Sequence, residues 1–385
     1  MKRMWISLVF GGAVFLMAEG WAEETPVVKT GTSSKEDKSK AWSPVASVEY
    51  LLKEQREDGS WCGYIKPAQD QKDSMSIATS AIVCMALLDY WDVNPEKIRA
   101  AVERGVSSVV ERAKKPTRHW SFIWSQAYPL RLLARVISHP TWKEQTATLT
   151  EQAAKMVKRL YGEQGPNGAW GYGVSGQYTS FGTADALLAL QEAWAAGIPV
   201  DDAKIQEGVK FLKTLRTEDR GYIYIPGAKE TWNAMPEGKA QDRSAGRNVL
   251  CEWVLLKAGE VNPKNLSAVM EKFTVHKKFL WDCRAYDGSG PLTRNVMLTE
   301  TGSPYVAFVL YAYQYAGLAM PSLPVERQKK FSSILLEDLM STKEEDGTWR
   351  HRTPTFKGPD HGIGNEVWST ANALIALKGL HAALQ

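Results

Sequence analysis

Two hydrophobic patterns take turns along most of this chain. One is amphipathic: Ala153, Met156, Val157 and Leu160 recur at i, i+3, i+4 and i+7 among polar residues, the spacing of a helix with one buried face. The other is apolar all round. Residues 76–88, 183–190, 249–256, 305–313 and 370–377 carry few polar side chains, and such helices must be buried on every side. Asn94-Pro95 and Asn262-Pro263 predict the starts of two amphipathic helices, with Asn as cap and Pro in the first turn. Ala196-Gly197, Ala258-Gly259 and Ala316-Gly317 predict the ends of three apolar ones, Gly supplying a left-handed C-terminal residue.

A repeated turn joins the two kinds. Tyr50-Leu51-x3-Gln55-x2-Asp58-Gly59-Ser60-Trp61 returns as Arg159-Leu160-x3-Gln164-x2-Asn167-Gly168-Ala169-Trp170 and as Asp338-Leu339-x3-Lys343-x2-Asp346-Gly347-Thr348-Trp349. Two eroded copies keep register. One has Arg216, Arg220 and Tyr222 at the Gln, Gly and Trp positions; the other, Phe279 to Gly290, loses the aromatic residue. A sixth, Val110 to Trp120, keeps little beyond Trp120. Repeats of this length are stacked supersecondary units. Alternating half-buried and fully buried helices predict two concentric rings with the apolar helices inside. The last unit, 325–380, is among the best preserved, whereas an open solenoid needs polar end caps. The predicted fold is all-α: a closed α/α toroid of about six helical hairpins, one domain over residues 43–385.

The N-terminus reads differently. Lys2 and Arg3 precede an apolar run from Trp5 to Ala18, and Gly20 and Ala22 suit cleavage before Glu23. That run is short of the ~20 residues that span a bilayer. The expectation is a signal peptide over 1–22, a polar flexible linker over 23–42, and an exported chain, periplasmic or secreted, with no transmembrane segment in its mature part. A formal net charge of +4 over 385 residues gives no nucleic-acid footprint, which needs clustered Lys and Arg. None of the four cysteines forms a C-x-x-C pair; Cys84 and Cys251 lie in apolar stretches and are expected to be buried thiols.

With its Q-x3-G-x-W turns at Gln55/Gly59/Trp61 and Gln164/Gly168/Trp170, and Lys343/Gly347/Trp349 close behind, the chain resembles the terpenoid cyclase and protein prenyltransferase superfamily over nearly its whole mature length. The resemblance implies turns tied by Gln and covered by Trp, and a central aromatic-lined cavity for isoprenoid chains. It also implies reagents, and these are missing. The D-x-D-D-T-A segment that protonates alkenes corresponds to Thr179-Ser180-Phe181-Gly182-Thr183-Ala184, with every Asp gone. The zinc ligands of prenyltransferases have only the adjacent Asp282-Cys283 and, for His, Ser369; zinc needs three or four converging ligands. The G-C-G-E-Q segment of complement-like thioester domains does not occur. No metal and no cofactor is expected.

Candidate chemistry then falls to the loops that join each turn to the next inner helix, since unequal loops on one face of a regular scaffold are the usual binding site. Asp242 and Glu366 are the candidate general acid or base, with helix capping as the competing role. Arg243 and Arg294 are candidates for holding an anionic head group. Among the aromatics that the turns do not use, Trp120, Trp124, Tyr178, Phe181, Tyr305 and Trp368 are candidate ligand contacts. Asp185 and Asn372, matched in Thr-Ala-Asp-Ala-Leu and Thr-Ala-Asn-Ala-Leu, are expected to serve structural hydrogen bonding. Three functions fit. The first is an isoprenoid-like or long apolar ligand in a central cavity, with peripheral membrane contact left open. The second is polysaccharide-lyase-type carbohydrate chemistry, and the third a non-catalytic interaction scaffold. A lumen filled by its own side chains argues against the first.

Overall fold

A computed structural model describes residues 42–61, 74–114, 122–172, 177–227, 239–284, 309–349, 352–353, 363–364 and 366–385. From Trp42 to Gln385 the chain is one compact unit. Its described residues form six helix pairs. The outer helices are α1 (Val45–Lys53), α3 (Pro95–Arg112), α5 (Thr146–Gly162), α7 (Asp202–Thr214), α9 (Pro263–Arg284) and α11 (Val325–Ser341). Each is followed by an inner one: α2 (Ser74–Asp89), α4 (Trp124–Ser138), α6 (Ser180–Ala195), α8 (Lys239–Lys257), α10 (Val309–Ala319) and α12 (Glu366–Ala382). The inner helices pack in sequence and α12 closes on α2. The protein is thus a closed α/α toroid. Two short two-residue ladders, Gly171–Tyr172 with Gln177–Tyr178 and Arg352–Thr353 with Ile363–Gly364, are the only paired strands among the described residues.

The repeated turn has one geometry, and each of its residue types has a task. Gly59, Gly168 and Gly347 take φ of +79°, +81° and +86°, a region that costs other residues ~1–2 kcal/mol. Trp61, Trp170 and Trp349 are fully buried, and each donates its indole N–H to the carbonyl ten residues earlier, at 2.6, 2.7 and 2.8 Å. Gln55 Nε2 donates to Gly59 O across the turn (3.0 Å) and to Ala101 O of α3 (2.8 Å). Gln164 does the same to Gly168 O and to Lys204 O of α7, both at 2.9 Å. In these two units the amide therefore rivets the turn to the next outer helix. Ser80, Thr183 and Thr370 of the inner helices accept the backbone N–H of Trp61, Trp170 and Trp349. The Thr-Ala pair at Thr183-Ala184 is thus kept for the turn, whatever happens to the acids before it.

The fourth unit replaces the set together. Arg216 at the Gln position donates Nε and Nη2 to Glu252 of α8 (2.9 and 2.7 Å), and the Tyr222 hydroxyl donates to the same carboxylate. Arg220 takes the left-handed turn position at φ +63°.

The Asn94 cap forms as expected, accepting from Lys97 N at 3.2 Å, and Asn262 accepts from Lys264 N at 3.0 Å. Gly197 and Gly259 end their helices at φ +78°. Gly317 does not: α10 runs through it to Ala319. The physical reason is packing, since a Cβ there would lie 2.4 Å from Ala376 O of α12. Cys84 and Cys251 are buried free thiols, and burial pushes both above the usual thiol range; Cys62 and the side chain of Cys283 lie outside the described residues. No described helix is long and apolar enough to cross a membrane.

Candidate functional site

Inner helices begin on the face that carries the turns and loops and end on the opposite face. Inward-pointing side chains near their first turns therefore meet on the ring axis. Trp124 opens α4, Phe181 stands second in α6 and Trp368 third in α12. The Trp124 ring lies 5.7 Å from those of Trp368 and of Tyr311 on α10, and 6.1 Å from Phe181. All four are buried, at 3% exposure or less.

Below them sits a carboxylate at zero exposure. Asp185 Oδ2 accepts from Trp124 Nε1 at 2.7 Å and from the Tyr311 hydroxyl at 2.8 Å, while Oδ1 accepts from the Tyr315 hydroxyl. Tyr315 Oη also receives Arg131 Nη1 at 3.1 Å and lies 3.3 Å from the Tyr128 hydroxyl. Arg131, itself fully buried, holds Glu192 through Nε and Nη2 (2.9 and 3.2 Å). Burial drives the Asp185 carboxyl up, and the three donors and Arg131 pull it back only part of the way, to about 6. The Arg131 charge is largely spent on Glu192, whose carboxyl it keeps below the usual range against the effect of burial. Asp185 stands four residues after Phe181, hence on the same helix face one turn deeper than the position corresponding to a D-x-D-D-T-A acid.

Helices α4 and α10 are opposite members of the six-helix inner ring. Contacts between Trp124 and Tyr311 and between Tyr128 and Tyr315 therefore span its full diameter. The lumen at this depth is an aromatic plug around a hydrogen-bonded acid.

Other sequence candidates are dispersed around the loop side. Asp242 lies in the first turn of α8, and its Oδ1 is 2.8 Å from Nδ1 of His276 on the outer helix α9. Glu366 opens α12 and accepts from the Tyr50 hydroxyl of outer helix α1 at 3.3 Å. Tyr178 pairs with Gly171 in the first ladder and is half-buried. Phe181 stacks parallel on Tyr224 at 5.8 Å, and the Arg247 guanidinium lies 5.6 Å from the Tyr224 ring centre. Trp120, Arg294 and Tyr305, and the side chain of Arg243, fall outside the described residues. Sequence reasoning did not single out Tyr128, Arg131, Glu192, Tyr311 or Tyr315. The available signals were Arg131 set between leucines in an apolar run and two tyrosines four apart, Tyr311 and Tyr315, which share a helix face.

No family model and no curated protein sequence matches the chain. Solved structures do. The GH76A alpha-1,6-mannanase from Salegentibacter sp. HEL1_6 superposes with a TM-score of 0.54 at 11% identity, covering 88% of this chain and 99% of that one. An inactive variant of that mannanase was solved with alpha-1,6-mannotriose. The type II terpene cyclase MstE from Scytonema gives a TM-score of 0.50 at 14% identity, over 88% and 97% of the two chains. A UGL variant with dGlcA-Glc-Rha-Glc gives 0.53 at 14%, over 86% and 93%. Likeness at these identities establishes the toroid fold alone.

Proposed function

We propose that this protein binds a saccharide chain across its loop face, above a ring that is closed by its own side chains. The observation that carries the reading is the plug: among the described residues Tyr128 and Tyr315 reach each other from opposite inner helices at 3.3 Å, across the axis that a long apolar chain would need. The reading puts binding at the mouth, where the half-buried Tyr224 ring is stiffened by Phe181 and Arg247. Aromatic faces and loop-borne polar groups are what a hydroxylated polymer requires. Two of the toroids of similar outline carry oligosaccharides in their solved complexes. Acid–base chemistry at this face falls to Asp242 with His276, a carboxylate positioned to orient an imidazole.

Affinity electrophoresis on gels containing mannan, xylan or pectate tests the reading. Retardation by one polymer, weakened ~10-fold by Tyr224→Ala, is expected, since such a change removes about one aromatic contact's worth of free energy. Release of unsaturated or reducing ends that disappears in Asp242→Asn would add catalysis. Equal mobility on all gels refutes the proposal.

The isoprenoid reading retains one supporting feature, the lumenal acid Asp185 placed one turn below Phe181. It requires the Trp124–Trp368 contact to part. A prenyl lipid found by mass spectrometry in protein purified from its own compartment would favour it over the saccharide reading.

A further inference from the structure

The ring face opposite the loops carries an open depression of about 420 Å³, formed where the last turns of α2, α4, α6 and α8 converge. That volume falls within the ~300–1,000 Å³ of small-molecule sites. Each of the four helices contributes one charge to its wall: Asp89, Arg135, Glu192 and Lys257. Leu88, Ala134, Pro140 and Ala195 supply apolar surface between them. We propose that this depression is a second site, distinct from the loop face, for a small neutral polyhydroxylated molecule of the mono- or disaccharide class.

The charges decide the ligand class. Arg135 Nη1 spans both oxygens of Asp89, at 3.0 and 3.1 Å. Buried Arg131 grips Glu192 from behind, and Lys257 Nζ rests 5.5 Å from the Trp253 ring centre. The formal charges of the four wall residues cancel, and each is already neutralised or stacked. A charged ligand that engages Asp89, Arg135 or Glu192 would have to strip an ion pair and leave its partner uncompensated, and Lys257 alone is outside such a pair. A neutral hydroxyl strips none. Each carboxylate has lone pairs beyond those its Arg occupies, and Arg135 carries further N–H groups. Hydroxyls both donate and accept, so vicinal pairs match a wall that alternates carboxylate and guanidinium. The apolar patches then take the C–H face of a sugar ring.

Saturation-transfer NMR and calorimetry with D-mannose, D-glucose and trehalose, against glucuronate and glucosamine as charged controls, test the site. The neutral sugars are expected to bind saturably, with the charged analogues ~5-fold or more weaker. Ala195 and Ser138 are both exposed, so Ala195→Trp and Ser138→Trp fill the depression from two helices without touching the core. Each is expected to weaken sugar binding ~10-fold at an unchanged melting temperature. Tyr224→Ala, on the loop face, is expected to leave this binding intact while weakening polymer binding. The site is overturned by absence of neutral-sugar binding up to ~50 mM, by tighter binding of either charged analogue, or by binding that survives both Trp variants. None of these outcomes depends on whether a polymer binds the other face.

Discussion

Replacing Asp185 by Asn gives the plug a quantitative test. In the unfolded chain the carboxyl ionises near its ordinary value of 3.8, whereas in the ring burial, opposed by Tyr315, Arg131, Tyr311 and Trp124, sets it at about 6. The native state therefore holds a proton that the unfolded state has released between about pH 4 and pH 6. The sign follows: stability from this group is fully present below about pH 4 and is lost as pH rises through about 6. A difference of about two pKa units amounts to roughly 3 kcal/mol, of which about 2 fall between pH 4.5 and pH 7.5. Asn is the neutral isostere and cannot titrate. Its carbonyl can still accept from Trp124 and Tyr311, while its NH2 meets the Tyr315 oxygen, whose proton can turn to Tyr128. The remaining offset is one altered buried hydrogen bond, about 1–3 kcal/mol at acid pH.

Urea unfolding followed by tryptophan fluorescence at about pH 4.5 and pH 7.5, on wild type and Asp185→Asn, measures both quantities. The wild-type advantage should shrink by about 2 kcal/mol as pH rises, and other titrating groups cancel in the difference. An advantage that is flat with pH, or that grows, refutes the reasoning. It would mean that three donors and Arg131 outweigh burial and that the native acid is a carboxylate throughout.

The fourth unit offers a second test: Glu252→Ala leaves Arg216 and the Tyr222 hydroxyl without their shared acceptor and should cost about 3 kcal/mol in the same assay. Arg220→Gly should stabilise by up to ~1 kcal/mol, because φ +63° is strained for any side chain; a loss of stability would show that the arginine makes contacts worth more than the strain. Gly317→Ala forces a methyl against Ala376 O, 2.4 Å away, and should lower stability by ~1–3 kcal/mol, seen as a reduced melting temperature. If Gly317 instead ended its helix, the same change would register through its backbone angle and leave α12 undisturbed.

The toroid was legible because its signals are local. Gln, Gly and Trp at fixed spacing report hydrogen bonds within ten residues, from Gln164 to Gly168 O and from Trp170 to Leu160 O. Gly317 shows the limit of such reading. Ala-Gly at the end of an apolar run is the same string whether Gly turns the chain or admits a neighbouring helix, and only the backbone of α12 distinguishes them. The Asp185 cluster was legible in part: a buried Asp had to be paired, but its donors lie 61, 126 and 130 residues away in sequence. Asp242 and Glu366 were singled out for their position ahead of inner helices. Their hydrogen bonds to His276 and Tyr50 on outer helices depend on ring packing, which spacing does not encode.

The two hydrogen-bonded systems use different residues on different sides of the inner helices, and this separation bears on function. Ser80, Thr183 and Thr370 hold the turns, while Asp185, Tyr311 and Tyr315 point to the axis. Substituting the axial set leaves every turn bond in place. The frame itself is shared with solved toroids at 11–14% identity. Among the described residues the lumen of this chain is bridged across its diameter at the depth of Tyr128 and Tyr315, the packing of a core. On the proposed function, ligand chemistry belongs to the two ends of the ring, where side chains from several units meet. The loop face and the depression between Asp89 and Lys257 are those two proposed ends, and substitutions there are the ones expected to change binding without changing the fold.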